Sequence, residues 1–397
     1  MVELFEKSRT MIQSVPGTFR RYLHDRIRWN NRLIAVTGAR GCGKTTLLLQ
    51  HAAGLKLSGQ SLLYVTMDDL MLRNTRLVDL ADIFYKNGGK LLILDEIHKY
   101  PGWSVELKNI YDTYKELQVV FTGSSVLEIY KGEADLSRRA IGYHLHNLSL
   151  REFIALQDGI ELPVFSLQDI LKRHTELSSL INKKIRPIAY FNQYVKYGAF
   201  PYFTEDRETY LWRLLNTIQV TIETDLPALT SIDYAATVKL KQLASIIAES
   251  VPFKPNILKL SERLGIKRDT LVRYLQMLEK GSILALLNSP AKGIGQLTKP
   301  DKIYLHNPNL LHALSQQQVN PGTVRETFFI NQMLQAHTMH YVEKGDFIVD
   351  GKLVFEIGGA GKTTRQIKDT AHSFLALDNI EHGSGKTIPL WIFGFLY

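Results

Sequence analysis

Gly38-Ala39-Arg40-Gly41-Cys42-Gly43-Lys44-Thr45 is the stretch on which the reading of this chain turns. It matches the pattern G-x-x-x-x-G-K-[ST] of a phosphate-binding P-loop. Glycines let backbone N–H groups close around phosphate oxygens, and a helix opening at the end of the loop points its positive N-terminus at the same anion. The flanks have the required character: Leu33 to Thr37 is a short apolar run, and Thr46 to Leu57 has helical spacing. Gly38, Ala39, Arg40, Gly41, Cys42, Gly43, Lys44, Thr45 and Thr46 are therefore the expected nucleotide-binding residues, with Arg40 at an unconstrained loop position. Lys44 would reach the β- and γ-phosphates and the Thr45 hydroxyl would ligate Mg²⁺. The expected ligands are ATP and Mg²⁺. Two further strings, Gly361-Lys362-Thr363 and Gly385-Lys386-Thr387, also read G-K-T. The glycine required five residues earlier is Glu356 in one and Ile380 in the other, so neither is a phosphate cradle.

Outward from the loop, apolar runs alternate with helical spacing. Ser61 to Thr66, Leu91 to Leu94, Val119 to Thr122 and Ala140 to Leu145 read as strands, and Trp103 to Leu117 as a helix. This alternation predicts an α/β fold, a parallel sheet sandwiched by helices. Leu91-Leu92-Ile93-Leu94-Asp95-Glu96 is a buried-strand run ending in two carboxylates, the Walker B pattern. Asp95 is expected to hold Mg²⁺ through water, and Glu96 to polarise the attacking water. Phe121-Thr122-Gly123-Ser124-Ser125 ends the fourth strand, and a hydroxyl there, such as that of Ser124, would orient water or sense the γ-phosphate; a Ser/Thr turn or helix cap explains the same residues. Arg138 and Arg139 are candidates for an arginine finger, which would stabilise transition-state charge from the same or a neighbouring subunit. A solvated helix end accounts for them equally. The candidate catalytic set is thus Glu96, Lys44, Ser124, Arg138 and Arg139, and the metal set Thr45 and Asp95. A finger acting in trans would imply a homo-oligomer.

The bulk properties narrow the class. Across 397 residues, 48 Lys and Arg exceed 39 Asp and Glu, a net charge of +9 that favours DNA or another polyanion as partner. The length exceeds one hydrophobic core. Cys42 is the single cysteine, which rules out an intrachain disulfide and suits a reducing cytoplasm. No apolar run is long enough to cross a bilayer, and the N-terminus shows no apolar secretory core, so a cytoplasmic protein is expected without a membrane partner. The first thirty residues read as helical and basic, with Arg20, Arg21, Arg26 and Arg28. His144 and His146 alternate on a strand and read as ordinary polar strand residues. Pro389 to Tyr397 is very apolar and reads as a buried strand.

Together these residues resemble a prokaryotic family of AAA+-like ATPases that join a P-loop domain to a winged helix and a restriction-endonuclease-like domain. Asp95-Glu96-Ile97-His98-Lys99-Tyr100-Pro101-Gly102-Trp103 is similar to the family's Walker B extension, and Thr122-Gly123-Ser124-Ser125 to its sensor strand. Leu148-Ser149-Leu150-Arg151-Glu152-Phe153 resembles its P-L-S-F-x-E-F element, with Asn147 in place of proline. Tyr197-Gly198-Ala199-Phe200-Pro201 resembles its G-G-F-P turn. The resemblance implies ATP binding and hydrolysis. It also implies an order of parts: an N-terminal helical segment (1–31), a P-loop domain (32–155), a helical region (156–250), a winged helix (251–316) and a restriction-endonuclease-like domain (320–397).

Within the later parts, Asn256 to Ile266 has the spacing of a helix-turn-helix, with Arg268 to Glu279 as the second helix. Leu271, Tyr274, Leu275 and Leu278 share one face, leaving Lys267, Arg268, Thr270 and Arg273 where a helix would meet DNA. A protein contact or an ATPase lid would use the same arrangement. Glu326, Asp346 and Glu356 resemble the carboxylate layout of restriction-like nucleases, in which a lysine two residues after the last acid steadies the attacking hydroxide. Gly358 stands at that lysine position. Lys362 or Lys368 would have to substitute from the next turn or helix, and a fold retained without cleavage is expected.

Overall fold

The apolar runs of the N-terminal third form five short strands in the computed structural model: β1 (Leu33–Thr37), β2 (Leu62–Thr66), β3 (Leu91–Asp95), β4 (Gln118–Gly123) and β5 (Ile141–His144). All pair in parallel, in the order β2-β3-β4-β1-β5. The structure describes residues 1–55, 60–73, 75–123, 136, 138–227, 232–252, 254–290, 299–315, 318–363, 365, 367 and 370–397. The chain divides into two compact units, one formed by Met1–Asn147 and the other by Leu148–Pro227 with Ile232–Tyr397.

Side chains of a strand alternate between faces, and in a parallel sheet both faces are covered by helices. The N-terminal unit follows that rule. Ala35, Leu63, Val65, Leu92, Leu94, Val119 and Phe121 pack on one face with α3 (Leu77–Lys86) and α4 (Trp103–Thr113). Ile34, Val36, Leu62, Tyr64, Leu91, Ile93 and Val120 pack on the other with α2 (Lys44–Gly54). Each fully buried Leu, Ile or Val here contributes about 2 kcal/mol of hydrophobic free energy. Strand β2 is an outer strand of this sheet, and α1 (Val2–Ser14) lies against it. Leu4 joins the core, and the buried Ser8 hydroxyl accepts the Tyr64 N–H. The expected N-terminal helix therefore ends at Ser14, followed by a single 3₁₀ turn at Tyr22–Asp25. Pro16 and Gly17 are poor helix formers and account for the break.

The second unit begins with helices. They are α5 (Leu150–Asp158), α6 (Leu167–Asn182), α7 (Pro187–Tyr197), α8 (Tyr210–Val220) and α9 (Tyr234–Ser250). Helix α5 starts at a capping box in which Ser149 and Glu152 satisfy each other's backbone N–H groups. Next come α10 (Ile257–Leu264) and α11 (Arg268–Lys280), then an antiparallel pair, β6 (Leu284–Leu287) and β7 (Lys302–Leu305), and α12 (Pro308–Leu314). Gly265 closes α10 in the left-handed conformation that glycine adopts without strain. Leu271, Tyr274, Leu275 and Leu278 of α11 are buried, while Lys267, Arg268, Asp269 and Arg273 are exposed.

Helix α13 (Pro321–Met333) leads into a five-stranded sheet of order β12-β11-β10-β9-β8. Its strands are β8 (Met339–Tyr341), β9 (Phe347–Val349), β10 (Leu353–Gly358), β11 (Ser373–Leu377) and β12 (Thr387–Pro389). The β8-β9-β10 neighbours are antiparallel, and β10-β11-β12 parallel. The apolar C-terminus departs from the strand expected there. Only Thr387–Pro389 pairs, and Leu390–Phe395 winds into a buried 3₁₀ helix. Pro389 offers no N–H to continue a ladder, and a run apolar at every position carries no period to distinguish strand from helix.

Candidate functional site

Gly38 opens the loop at the end of β1 because no other residue fits. A Cβ there would lie 2.2 Å from the Leu145 carbonyl oxygen, and its φ is +151°. The loop then turns into α2, whose first residue is Lys44. The strand–loop–helix context required of a phosphate cradle is present. Of the two other G-K-T strings, Gly361-Lys362-Thr363 follows β10, with most of the residues just after it outside the described ones, and Gly385-Lys386-Thr387 leads into β12.

Lys44 is buried, and its ammonium donates to the Gly38 and Ala39 carbonyls at 2.9 and 3.0 Å. The Thr45 hydroxyl donates to Asp95 Oδ2 at 2.7 Å, so loop and carboxylate meet directly. The Tyr64 hydroxyl donates to the same oxygen at 2.8 Å. Burial, and after it the Asp95 charge, push the Tyr64 hydroxyl far above its ordinary range, so it remains a proton donor. The Thr122 hydroxyl hydrogen-bonds Asp95 Oδ1 and also accepts the Glu96 N–H, the latter at 2.9 Å.

Glu96 adopts φ +54°, unusual for a side chain-bearing residue. Its Oε2 lies 2.8 Å from Lys99 Nζ, 3.8 Å from Arg40 Nη2 and 4.0 Å from His98 Nε2. Lys99 also donates to Asp68 at 2.7 Å. Burial by itself would raise the Glu96 carboxyl, but Lys99, Arg40 and His98 outweigh it and hold the group below its ordinary value.

The structure thus brings Arg40, Lys44, Thr45, Asp95 and Glu96 together at the C-terminal ends of β1 and β3. Cys42 is buried in the loop, and Thr46 is exposed on α2. Ser124 lies outside the described residues. Arg139 is engaged by Asp112 through hydrogen bonds of 2.9 and 2.8 Å, and Arg138 is exposed. Thr122 falls in the stretch that resembles the sensor strand; Tyr64 and Arg21 carry no site role in the sequence reading. The Arg21 guanidinium is buried, hydrogen-bonds the Cys42 carbonyl and donates to the His146 and Asn147 carbonyls at 2.7 and 3.1 Å. It ties the loop to the end of β5 from a segment that looked like basic surface. His144, at the end of β5, hydrogen-bonds the Thr37 hydroxyl at 3.0 Å, with the His146 ring 4.4 Å away. Burial, then the Lys44 charge, lower His144 to about 4.

The C-terminal carboxylates also converge. Glu326 on α13 accepts from Lys302 at 3.1 Å and from Tyr304 at 2.6 Å. Asp346 precedes β9 and accepts the Ile357 N–H at 2.8 Å; burial, then the Glu326 charge, raise it to about 6. Glu356 on β10 is buried, and its Oε1 pairs with Lys362. Its Oε2 is buried with no hydrogen-bond partner among the described residues. A Cβ on Gly358 would lie 2.3 Å from the Lys362 side chain, so Lys362 fills the space a lysine at 358 would use. Lys368 lies outside the described residues. Among the described residues no three His, Cys, Asp or Glu side chains are placed to hold one metal ion.

A parallel sheet of order β2-β3-β4-β1-β5, a glycine-rich loop between β1 and α2, and an acidic pair ending β3 define an AAA+-like P-loop protein. Residues 30–154 match the AAA domain family, and residues 188–320 match a domain of unknown function. The chain therefore carries a P-loop domain of the AAA-type ATPases. An uncharacterised protein of Methanocaldococcus jannaschii is 29% identical over 265 residues, 64% of this chain and 56% of that protein. The chain thus matches little more than half the length of that relative. A Walker-type ATPase of Pyrococcus abyssi superposes with a TM-score of 0.43 at 12% identity, over 77% of this chain and 99% of that one. DnaA from Aquifex aeolicus, bound to AMPPCP, gives 0.28 at 13%, over 70% and 88%. The fold assignment rests on the sheet order and the matched AAA domain, not on these two likenesses. Among the described residues no helix is long and apolar enough to cross a membrane.

Proposed function

We propose that the N-terminal unit binds ATP with Mg²⁺ and hydrolyses it. One observation carries the reading: the Thr45 hydroxyl meets Asp95 at 2.7 Å, with Glu96 next in the chain. A hydroxyl and a carboxylate at that separation are hard oxygen donors of the kind Mg²⁺ takes, and Lys44 opens the helix behind them. Thr45 and Asp95 would hold the ion, which when bound neutralises phosphate charge. Lys44 would exchange its loop carbonyls for phosphate oxygens. Glu96, held below its ordinary range, is a carboxylate able to polarise water at neutral pH. Glu96→Gln should still bind ATP while turnover drops on the order of a hundredfold or more. Normal turnover in that variant, measured as phosphate release, would remove Glu96 from the mechanism.

What the hydrolysis moves belongs to the same proposal. The helices, the α10–α11 pair with its β6–β7 ribbon and the C-terminal sheet are the cargo. The exposed Lys267, Arg268 and Arg273 suit contact with a nucleic acid backbone. Turnover that rises with DNA or RNA supports a motor-like ATPase. Slow turnover indifferent to both supports a regulatory nucleotide switch.

For the C-terminal sheet we propose a nuclease-like layout that does not cleave. Lys362 supplies the missing lysine, but Glu326 is committed to Lys302 and Tyr304. Plasmid incubated with the protein and Mg²⁺ or Mn²⁺ should stay supercoiled. Nicking that disappears in Glu356→Ala and in Lys362→Met would reverse this reading.

A further inference from the structure

Arg40 is the third residue of the loop, and nothing in the sequence pattern constrains it. The structure gives it a partner. Its guanidinium is 3.8 Å from Glu96, and both side chains are largely buried, 25% and 18% exposed. The other basic side chains near that carboxylate, His98 and Lys99, follow Glu96 along its own turn, and Lys99 is shared with Asp68. Arg40 alone of these three comes from the loop.

Its position has a geometric consequence that rests on the ATPase reading above. A triphosphate cradled by residues 38–45 has its terminal phosphate on the side of the Thr45–Asp95 corner, facing the acid that handles water. Arg40 spans from the loop to that acid. An anion occupying the space between loop and Glu96 must therefore lie against the Arg40 side chain. A terminal phosphate carries more charge than one carboxylate and offers oxygens in the geometry a guanidinium fork matches.

We propose that Arg40 is the charge-stabilising arginine of this site, acting within the same chain. It pairs with Glu96 or with the terminal phosphate, and a bound triphosphate takes it. The exchange cancels charge on the phosphoryl group as the bond to the leaving diphosphate breaks and the bond to water forms. Of the arginines after β4, Arg139 is held by Asp112.

The test compares wild type, Arg40→Met and Arg40→Lys in the full chain. Two quantities are read: Mg-ATP turnover, and equilibrium binding of ADP and of a methylene-bridged ATP analogue. In Arg40→Met, ADP affinity should stay within about twofold, which also shows that the loop is folded. Analogue affinity should fall roughly tenfold and turnover about a thousandfold. Arg40→Lys, with charge but no fork, should fall between. Equal changes in ADP and analogue affinity, unchanged turnover, or faster turnover in Arg40→Met would overturn the assignment. Wild type that binds both ligands without turnover would sink the hydrolysis reading alone, since the binding ratio still tests Arg40. Wild type that binds neither would sink both.

Discussion

The Thr122 hydroxyl is shared between two acids. It hydrogen-bonds Asp95 and accepts the N–H of Glu96, so one oxygen fixes the Asp95 carboxylate and the left-handed backbone of the next residue. A strained backbone at a reacting group persists only where neighbours over-determine it. Thr122→Val keeps the shape and loses both bonds. It should lower turnover ten- to a hundredfold, about 1.4–2.7 kcal/mol, with little change in nucleotide affinity. Thr122→Ser should restore most of it. Full turnover in Thr122→Val would show that the hydroxyl is dispensable. The sequence marked the stretch Thr122 to Ser125 but not which of its hydroxyls meets Asp95, because a strand buried on both faces does not reveal which side chain turns toward the acids; Ser124 lies outside the described residues. Arg21 was missed for a related reason: a basic residue among other basic residues looks solvated until its three carbonyl partners are seen. Lys362 was legible only as a substitute, since its approach to Glu356 depends on a turn whose path no local pattern encodes.

At the scale of elements, the runs that read most clearly were those buried on both sides. Leu33–Thr37 and Leu91–Asp95 appear with boundaries within one residue of those expected. Continuous apolar character, short length and flanking turn residues leave little else for them to be. The order β2-β3-β4-β1-β5 was not legible, because which strands become neighbours is a long-range choice. The helix pair α10–α11 was legible through Gly265 and the spacing of its leucines. Leu390–Phe395 was not. Its Trp391 indole donates to the Ile380 carbonyl at 3.1 Å, and a Cβ on Gly394 would lie 2.4 Å from Leu150. Close approach of that kind is decided by tertiary packing, and it selected a compact 3₁₀ turn over an extended strand.

At the scale of the whole molecule, the histidines of the N-terminal unit set its response to acid. His51 stacks on Trp29 with ring centroids 3.6 Å apart, and burial, then the charges of His24 and Arg20, lower it to about 4. His144 is lowered to a similar value. Both are neutral when folded, whereas the unfolded chain takes up their protons near pH 6.5. The unfolded state therefore binds more protons between about pH 6.5 and 4, and folding stability should fall as pH drops through that window. Each site contributes up to about 3 kcal/mol of that loss. Chemical denaturation at pH 7 and pH 4.5 should show His51→Phe losing less stability on acidification than wild type. An equal loss in both would mean that His51 does not set the slope.

Lys44 is the feature with the widest consequence. An ammonium has three protons to place and is costly to bury unpaired, and this one places protons on the carbonyls of Gly38 and Ala39. The loop thereby closes on itself with its own atoms as partners. An incoming phosphate trades against bonds already made, so its affinity is a difference between two comparable sums. On the proposed ATPase reading, occupancy of the site would rise and fall with the ATP supply around it, which is what a sensor or a motor needs and a structural cofactor site does not.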